Sequence, residues 1–148
     1  MTGRMATGHC LCGAVRFTAH DVPDTFGVCH CEMCRRWTGS ALLEVSVPVG
    51  SVVWQGIDAI ATRKTSAWAE RAWCKECGTG LYFKVTQEGA FSGNLDLPLG
   101  IFDAPGGFEM SHEIYIDHKP DSFAYAGEGR TVLTRQDCVD RFPDLDRT

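Results

Sequence analysis

Seven of the eight cysteines of this chain fall into three tight clusters. Cysteines so close along a chain would close only small, strained disulfide rings, whereas their thiolates can together chelate one soft metal ion. The clusters therefore predict metal binding, with zinc as the expected metal. They are Cys10-x-Cys12, Cys29-x-Cys31-x-x-Cys34 and Cys74-x-x-Cys77.

The number of clustered cysteines adds a second constraint. Seven thiolates divide naturally into a closed set of four and an open set of three. A zinc ion held by four cysteines is structural, whereas three protein ligands and a free position are the arrangement of a catalytic zinc. The count therefore predicts two zinc ions per chain, one that stabilises the fold and one at which chemistry can occur.

The first and third clusters differ in how strongly their spacing indicates zinc. Cys74-x-x-Cys77 followed by Gly78 is the usual half of a four-cysteine zinc site. The alternative, a redox dithiol, is disfavoured because no βαβ pattern surrounds the pair. Cys10-x-Cys12 is a weaker signal, and we place it at the start of a strand, where residues i and i+2 point to the same face.

The middle cluster, Cys29, Cys31 and Cys34, is called the cysteine trio below. It can supply three thiolates to one ion without a ligand from elsewhere. Two questions stay open at this level. The trio can also borrow a fourth ligand, such as a histidine, and close into a structural site. Pairing of the remaining cysteines is not determined by spacing, although joining the first cluster to the third is the tidiest division. His30, between two ligands, is expected to point away from their metal.

Composition and charge narrow the class of protein. With 148 residues and 44% hydrophobic residues, the chain can form one domain with a core that needs no disulfides. It has 14 Lys and Arg against 19 Asp and Glu, which argues against a general nucleic-acid binder. We see no secretory signal and no apolar run long enough for a membrane span. A cytoplasmic, metal-binding protein is therefore expected.

Hydrophobic periodicity predicts a mainly β protein with short helices at its margins. A helical turn is expected around Cys34, and a helix over 131–142 with Thr134 as N-cap and Asp137 three residues later. Cys138, in that helix, is expected to be a small core residue. The strands are predicted at 14–18, 25–31, 42–49, 51–54, 57–62, 67–73, 81–85, 90–95 and 112–117, and those on either side of Cys74–Cys77 form a hairpin.

The cysteine clusters and their surroundings resemble one known family. The matching segments begin with Gly8-His-Cys-Leu-Cys12, Cys29-His-Cys-Glu-Met-Cys34 and Trp73-Cys-Lys-Glu-Cys77, and the later segments 93–96 and 112–120 match as well. This pattern is similar to that of the glutathione-dependent formaldehyde-activating enzyme family, also called the centromere protein V/GFA domain. The resemblance covers roughly residues 8–125, and residues 126–148 are interpreted as a C-terminal extension with a short helix packed on the same domain.

The resemblance implies a β-tent of antiparallel sheets with two zinc ions. Its structural zinc site corresponds to Cys10, Cys12, Cys74 and Cys77, and its open second site to the trio. It also implies carbon–sulfur lyase chemistry, the condensation of formaldehyde with glutathione to S-hydroxymethylglutathione or a related reaction of a small thiol.

The remaining site residues are predicted by position only. Trp37 and Ser40, just after the trio, are expected to line a substrate pocket. The general acid and base are not identified, and Asp96, His112 and Glu113 are candidates. His112 and His118, which flank the last strand, can be structural or can reach a site.

Two other classes of function fit the same cysteines. One is a zinc-stapled binding module without turnover, and the other is a metal or thiol sensor. The discriminating feature is the ligand set of the trio, because a free fourth position beside a pocket favours the enzyme.

Overall fold

A computed structural model describes residues 3–147 of the chain. Within this range the protein contains eleven strands and two short α-helices, which confirms the prediction of a mainly β fold. The chain divides into two compact units. The first contains the residues up to Asp24 together with Val45–Phe108, and the second contains Thr25–Glu44 and the residues from Glu109 onward.

A three-stranded antiparallel sheet forms one part of the first unit. Its order is β1 (Arg4–His9), β2 (Arg16–Val22) and β5 (Val52–Gln55). In β2, Phe17 and Ala19 are buried and lie two residues apart, so one face of the strand points into the core. The sequence did not predict β1, because its residues lack the alternation that marked β2.

Four further strands of the first unit follow one another as antiparallel neighbours: β6 (Ile60–Ser66), β7 (Ala69–Cys74), β8 (Gly80–Val85) and β9 (Asn94–Pro98). The connection between β7 and β8 carries the third cysteine cluster, as the hairpin prediction required. Alternate residues of β8 are buried, which is the pattern of a strand with one face on the core.

The second unit contains parallel as well as antiparallel pairs. The strand β10 (Glu109–Ile114) lies between β3 (Thr25–Cys29) and β11 (Thr131–Val132) and is parallel to both. The strand β4 (Leu42–Pro48), which begins here and ends in the first unit, pairs antiparallel with β3. The expectation of antiparallel sheets alone was therefore wrong. Long connections between these strands make parallel pairing possible.

Both α-helices lie in the second unit and are short. The helix α1 (Glu32–Thr38) confirms the helical turn expected around Cys34. The helix α2 (Arg135–Arg141) is capped by Thr134, whose side chain and that of Asp137 form the reciprocal capping box. The predicted helix over 131–142 is too long at its start, because residues 131–132 pair with β10 instead.

Three predicted strands are displaced. In two of them a one-turn 3₁₀ helix occupies part of the predicted span, namely Ile57–Ala59 before β6 and Ile116–His118 after β10. The latter begins after Tyr115, which adopts φ 55° and so ends the extended backbone. The strand predicted at 90–95 starts only at Asn94, because a turn precedes it. Among the described residues no helix is long and apolar enough to cross a membrane.

Candidate metal centres and the adjoining cavity

Cys10, Cys12, Cys74 and Cys77, called the four-cysteine cluster below, come together in the first unit. Their sulfur atoms all lie within 4.8 Å of one another. The Cys10 and Cys12 sulfurs are 3.6 Å apart, and those of Cys12 and Cys74 are 3.8 Å apart. Four thiolates at about 2.3 Å from a tetrahedral zinc would be separated by about 3.8 Å. The donor set and its spacing therefore fit a closed zinc site.

Two tight turns present these four sulfurs. The first cluster lies in a turn after β1, where the Gly13 N–H donates to the Cys10 carbonyl and Gly13 adopts φ 80°. The prediction that Cys10 and Cys12 lie on a strand was therefore wrong. In the second turn, the Gly78 N–H donates to the Cys74 carbonyl, with Gly78 at φ 83°. Glycine tolerates this left-handed backbone, which explains its place after each cysteine pair.

Local donors stabilise negative charge on the four-cysteine cluster. Hydrogen bonds from the Thr79 side chain and backbone lower the pKa of Cys77 to about 5. Burial acts to raise the pKa of Cys10, but the Val15 N–H, 3.3 Å from its sulfur, and the neighbouring thiols lower it overall. Nearby groups thus favour the thiolates of Cys77 and Cys10. At Cys12 a hydrogen bond with the Ala14 backbone acts to lower the pKa, but burial and the neighbouring thiols raise it to about 12.

The cysteine trio comes together in the second unit, and all three residues are fully buried. Its sulfur atoms also lie within 4.8 Å of one another. Cys29 is the last residue of β3, Cys31 is the N-cap of α1, and Cys34 lies in the helix. The Cys34 N–H donates to the Cys31 sulfur over 3.4 Å. Among residues 3–147, no histidine, cysteine or carboxylate atom joins this group as a fourth ligand.

Burial disfavours thiolates in the trio when no cation is bound. It raises the pKa of Cys29 well above its ordinary value, and the neighbouring thiols act in the same direction. At Cys31 a hydrogen bond with Cys29 acts to lower the pKa, but Cys34 and burial outweigh it and raise the pKa to about 11. Three soft sulfur donors fit a zinc ion, whose binding would displace the thiol protons.

His30 points away from the trio, as expected for a residue between two ligands. Its Nε2 lies 2.8 Å from Glu113 Oε1, and the Arg130 Nε donates to Glu113 Oε2 over 2.7 Å. Arg130 also donates to the carbonyls of Tyr125 and Ala126. Burial acts to raise the pKa of Glu113, but the hydrogen bonds from His30 and Arg130 lower it overall. Glu113, one of the candidate catalytic groups, therefore has both oxygens engaged within the protein.

A cavity of about 510 Å³ opens beside these groups in the second unit. His30 lines it, and no described residue donates to its buried Nδ1 atom. Ser40 lines the cavity, and its role in substrate binding stays a prediction. Trp37 is not among the residues that line this cavity, and its side chain is 38% exposed. The lining residues are His30, Arg35, Arg36, Gly39, Ser40, Ala41, Pro120 and Phe123.

Arg147, near the end of the chain, reaches the trio. Its Nη1 donates to the Cys29 sulfur over 3.3 Å. Burial acts to lower the pKa of Arg147, but the neighbouring Cys29 and Glu44 raise it well above its ordinary value. Neither Arg147 nor Arg130 was singled out from the sequence. Each contacts a partner from a distant segment, and no local spacing indicates such a pair.

The other candidate residues have separate surroundings. Asp96 lies in β9, in the first unit. In the second unit His112 accepts or donates a hydrogen bond with Ser111 over 2.9 Å, and burial lowers its pKa. His118 packs edge-on against the Tyr115 ring, with 5.4 Å between ring centroids. Cys138 is buried in α2, as predicted for a core residue.

Proteins of similar sequence or structure support the family that the cysteine pattern predicted. The chain is 33% identical over 126 residues to a Schizosaccharomyces pombe protein named as an uncharacterized lyase, covering 82% of this chain and 85% of that protein. A crystal structure of a Rhodobacter sphaeroides protein shares the fold with a TM-score of 0.53, 16% identity, and coverage of 86% of this chain and 99% of that one. The family model of the glutathione-dependent formaldehyde-activating enzyme matches residues 5–118, and the chain therefore belongs to this family.

Proposed function

We propose that the protein is a zinc-dependent lyase of the carbon–sulfur type that acts on a small thiol–aldehyde adduct resembling S-hydroxymethylglutathione. The observation that carries this proposal is the trio, three buried cysteines with no fourth ligand atom among the described residues, whose intervening residue His30 lines a cavity. Membership of the family and the lyase name of the yeast relative support it. A cytoplasmic location and glutathione as the thiol partner belong to the same proposal.

The two cysteine groups would hold two zinc ions with different tasks. The four-cysteine cluster would complete the coordination of one ion and stabilise the turns of the first unit. At the trio, a bound zinc supplies Lewis-acid polarisation and stabilises a thiolate. The β-tent arrangement, and the division into a domain at 8–125 and an extension at 126–148, stay predictions.

The cavity is suited to a small anionic thiol. Arg35 and Arg36 give its wall positive charge, and Arg36 also pairs with Glu32 over 3.2 Å at the surface. Guanidinium groups bind carboxylates, of which glutathione has two. The volume of about 510 Å³ lies within the usual range of small-ligand sites. Ala41, Pro120 and Phe123 add apolar surface to the wall of the cavity.

Glu113 is assigned a positioning role. A carboxylate can only accept, so in the neutral His30 ring the proton lies on Nε2 and the Nδ1 atom is left as an acceptor. In this tautomer Nδ1 can accept a hydrogen bond from a substrate hydroxyl or amide. Asp96 and His112 stay predictions as general acid or base.

The test compares Cys34→Ala with wild type and with Cys138→Ala, a control that removes a buried cysteine outside both groups. Each purified protein is analysed for bound zinc, and its consumption of formaldehyde with glutathione is followed. We expect wild type and Cys138→Ala to hold two zinc ions and to be active. Cys34→Ala should keep one ion and its fold but lose activity.

Two results would contradict the proposal. If wild type consumes no aldehyde with glutathione or any other small thiol, a binding module or sensor is favoured. If Cys34→Ala loses both zinc ions and unfolds, the trio is structural.

A further inference from the structure

The residues beyond 118, where the family match ends, contribute directly to the surroundings of the trio. Arg147 donates from Nη1 to the Cys29 sulfur over 3.3 Å. Arg130 holds Glu113, and Phe123 lines the cavity. All of these residues lie in the second unit. The C-terminal segment of this chain is thus part of the candidate site.

The backbone that carries Arg147 is anchored through two consecutive residues, Asp146 and Arg147. The Arg147 N–H donates over 2.8 Å to the hydroxyl of Tyr115, a residue that is 1% exposed. The same hydroxyl donates to Asp146 over 3.3 Å. Arg135, at the start of α2, binds both carboxylate oxygens of Asp146, at 3.2 and 2.5 Å. These contacts position the guanidinium at the trio.

The contact between Arg147 and Cys29 can offset the negative charge of a metal-bound trio. Three thiolates around a divalent ion leave one net negative charge, and the trio is fully buried. A buried charge without a partner is costly. Glu44, which is also buried, adds a second negative group near Arg147. The guanidinium is always protonated and can donate to a sulfur and a carboxylate together.

We propose that Arg147 is a positioning and charge-compensating residue that retains a metal ion in the trio through its N–H···S contact with Cys29. The proposal rests on the zinc that the proposed function assigns to the trio. The four-cysteine cluster has local donors for its sulfurs, namely Thr79 and the Val15 N–H. The trio also has a local donor, the Cys34 N–H to the Cys31 sulfur, but its cation is Arg147, 118 residues from Cys29 along the chain.

The experiment measures zinc retention rather than turnover. Wild type, Arg147→Gln, Arg147→Lys and the control Arg141→Gln, which changes an exposed arginine of α2, are loaded with zinc and titrated with a chromogenic chelator. We expect Arg147→Gln to bind one of its two ions about 10–100-fold more weakly, the usual effect of removing a hydrogen bond to a metal ligand. Arg147→Lys should retain that ion more tightly than Arg147→Gln, and Arg141→Gln should match wild type.

A second background assigns the weakened ion to its site. In Cys34→Ala, which keeps only the four-cysteine cluster, adding Arg147→Gln should leave the affinity for the remaining zinc unchanged. Circular dichroism melting of the zinc-loaded proteins reports whether each variant is folded. If Arg147→Gln melts far below wild type, its zinc affinity is set aside. The zinc affinity of the folded Arg147→Lys is then compared with that of wild type and of Arg141→Gln, and this comparison tests the proposal.

The outcomes separate this proposal from the proposed function. If Arg147→Gln binds both zinc ions as tightly as wild type does, the role of Arg147 is overturned. Equal weakening in Arg147→Gln and Arg147→Lys would overturn charge compensation. A single ion in wild type would overturn both this proposal and the second metal centre. If wild type shows no lyase activity but Arg147→Gln still binds one of its two zinc ions more weakly than wild type does, the role of Arg147 is supported. Only the proposed reaction is then contradicted.

Discussion

The four-cysteine cluster and the cysteine trio differ in the origin of the groups that stabilise negative charge on their sulfur atoms. In the four-cysteine cluster, Thr79 and Val15 donate to the sulfurs from within a few residues of the cysteines. In the trio, burial raises the pKa of Cys29, and the compensating cation is Arg147, 118 residues away. The four-cysteine cluster joins two segments 62 residues apart but draws the groups that stabilise its sulfurs from nearby residues. The trio lies within one short segment but takes its cation from a distant one, and no fourth ligand atom joins it among the described residues.

The largest expected effect is a loss of folding stability when the four-cysteine cluster, rather than the trio, loses a ligand. Cys74→Ala should unfold the first unit, because a structural zinc supplies on the order of 10 kcal/mol of folding free energy. Cys34→Ala should lose one zinc and keep cooperative unfolding. Zinc analysis and thermal melting by circular dichroism check this. Cooperative melting near the wild-type temperature in Cys74→Ala would contradict a structural role for the four-cysteine cluster.

The next effect concerns the charge network beside the trio. Arg130→Met removes one partner of the buried pair with Glu113 and should destabilise the protein by about 3 kcal/mol. Arg141→Met, at an exposed position of α2, is the matched control and should change little. Urea unfolding of both variants measures the difference. If Arg130→Met and Arg141→Met are equally stable, the ion pair between Arg130 and Glu113 does not stabilise the fold.

Anionic substrate binding should depend on Arg35. We expect Arg35→Gln to raise KM for an acidic thiol about tenfold with kcat unchanged, since the lost interaction is equally strong in the ground and transition states. Arg63→Gln changes an exposed arginine of β6 and serves as control. Steady-state kinetics with glutathione and an uncharged thiol test this. A similar rise with the uncharged thiol would argue against charge recognition.

Acid stability should report on Glu113. Because its folded pKa lies below the unfolded value, ordinarily about 4.3, its stabilising contribution is present above that value. It is lost as the pH falls through the folded pKa. Glu113→Gln should therefore lose less stability than wild type between pH 5 and the folded pKa. Urea unfolding over this range measures it, with Glu109→Gln, at an exposed position of β10, as control. Parallel curves for Glu113→Gln and wild type would contradict the assignment.

The smallest effect tests the anchoring of the C-terminal segment. Thr134→Ala removes the N-cap of α2 and should cost about 1 kcal/mol. Since α2 supplies Arg135, which holds Asp146, zinc retention at the trio should also weaken slightly. The four-cysteine cluster should be unaffected. Chelator titration of the variant distinguishes the two groups.

Local patterns predicted much of the fold. The alternation in β8 and the hairpin around the third cysteine cluster follow from period-two burial and from glycine after the cysteine pair. The capping box at Thr134 was recognisable three residues apart. Boundaries were less certain, because Tyr115 and residues 131–132 take conformations that depend on pairing with other segments.

Cysteine spacing alone predicted metal binding and located the candidate ligands along the sequence, because chelation by neighbouring thiolates is a local requirement. Only the tertiary structure decided what surrounds the ligands. It joined His30 to Glu113 across 83 residues and brought Arg147 to Cys29. Such pairs follow no spacing rule, since charge acts through space and the fold alone sets which distant residues meet.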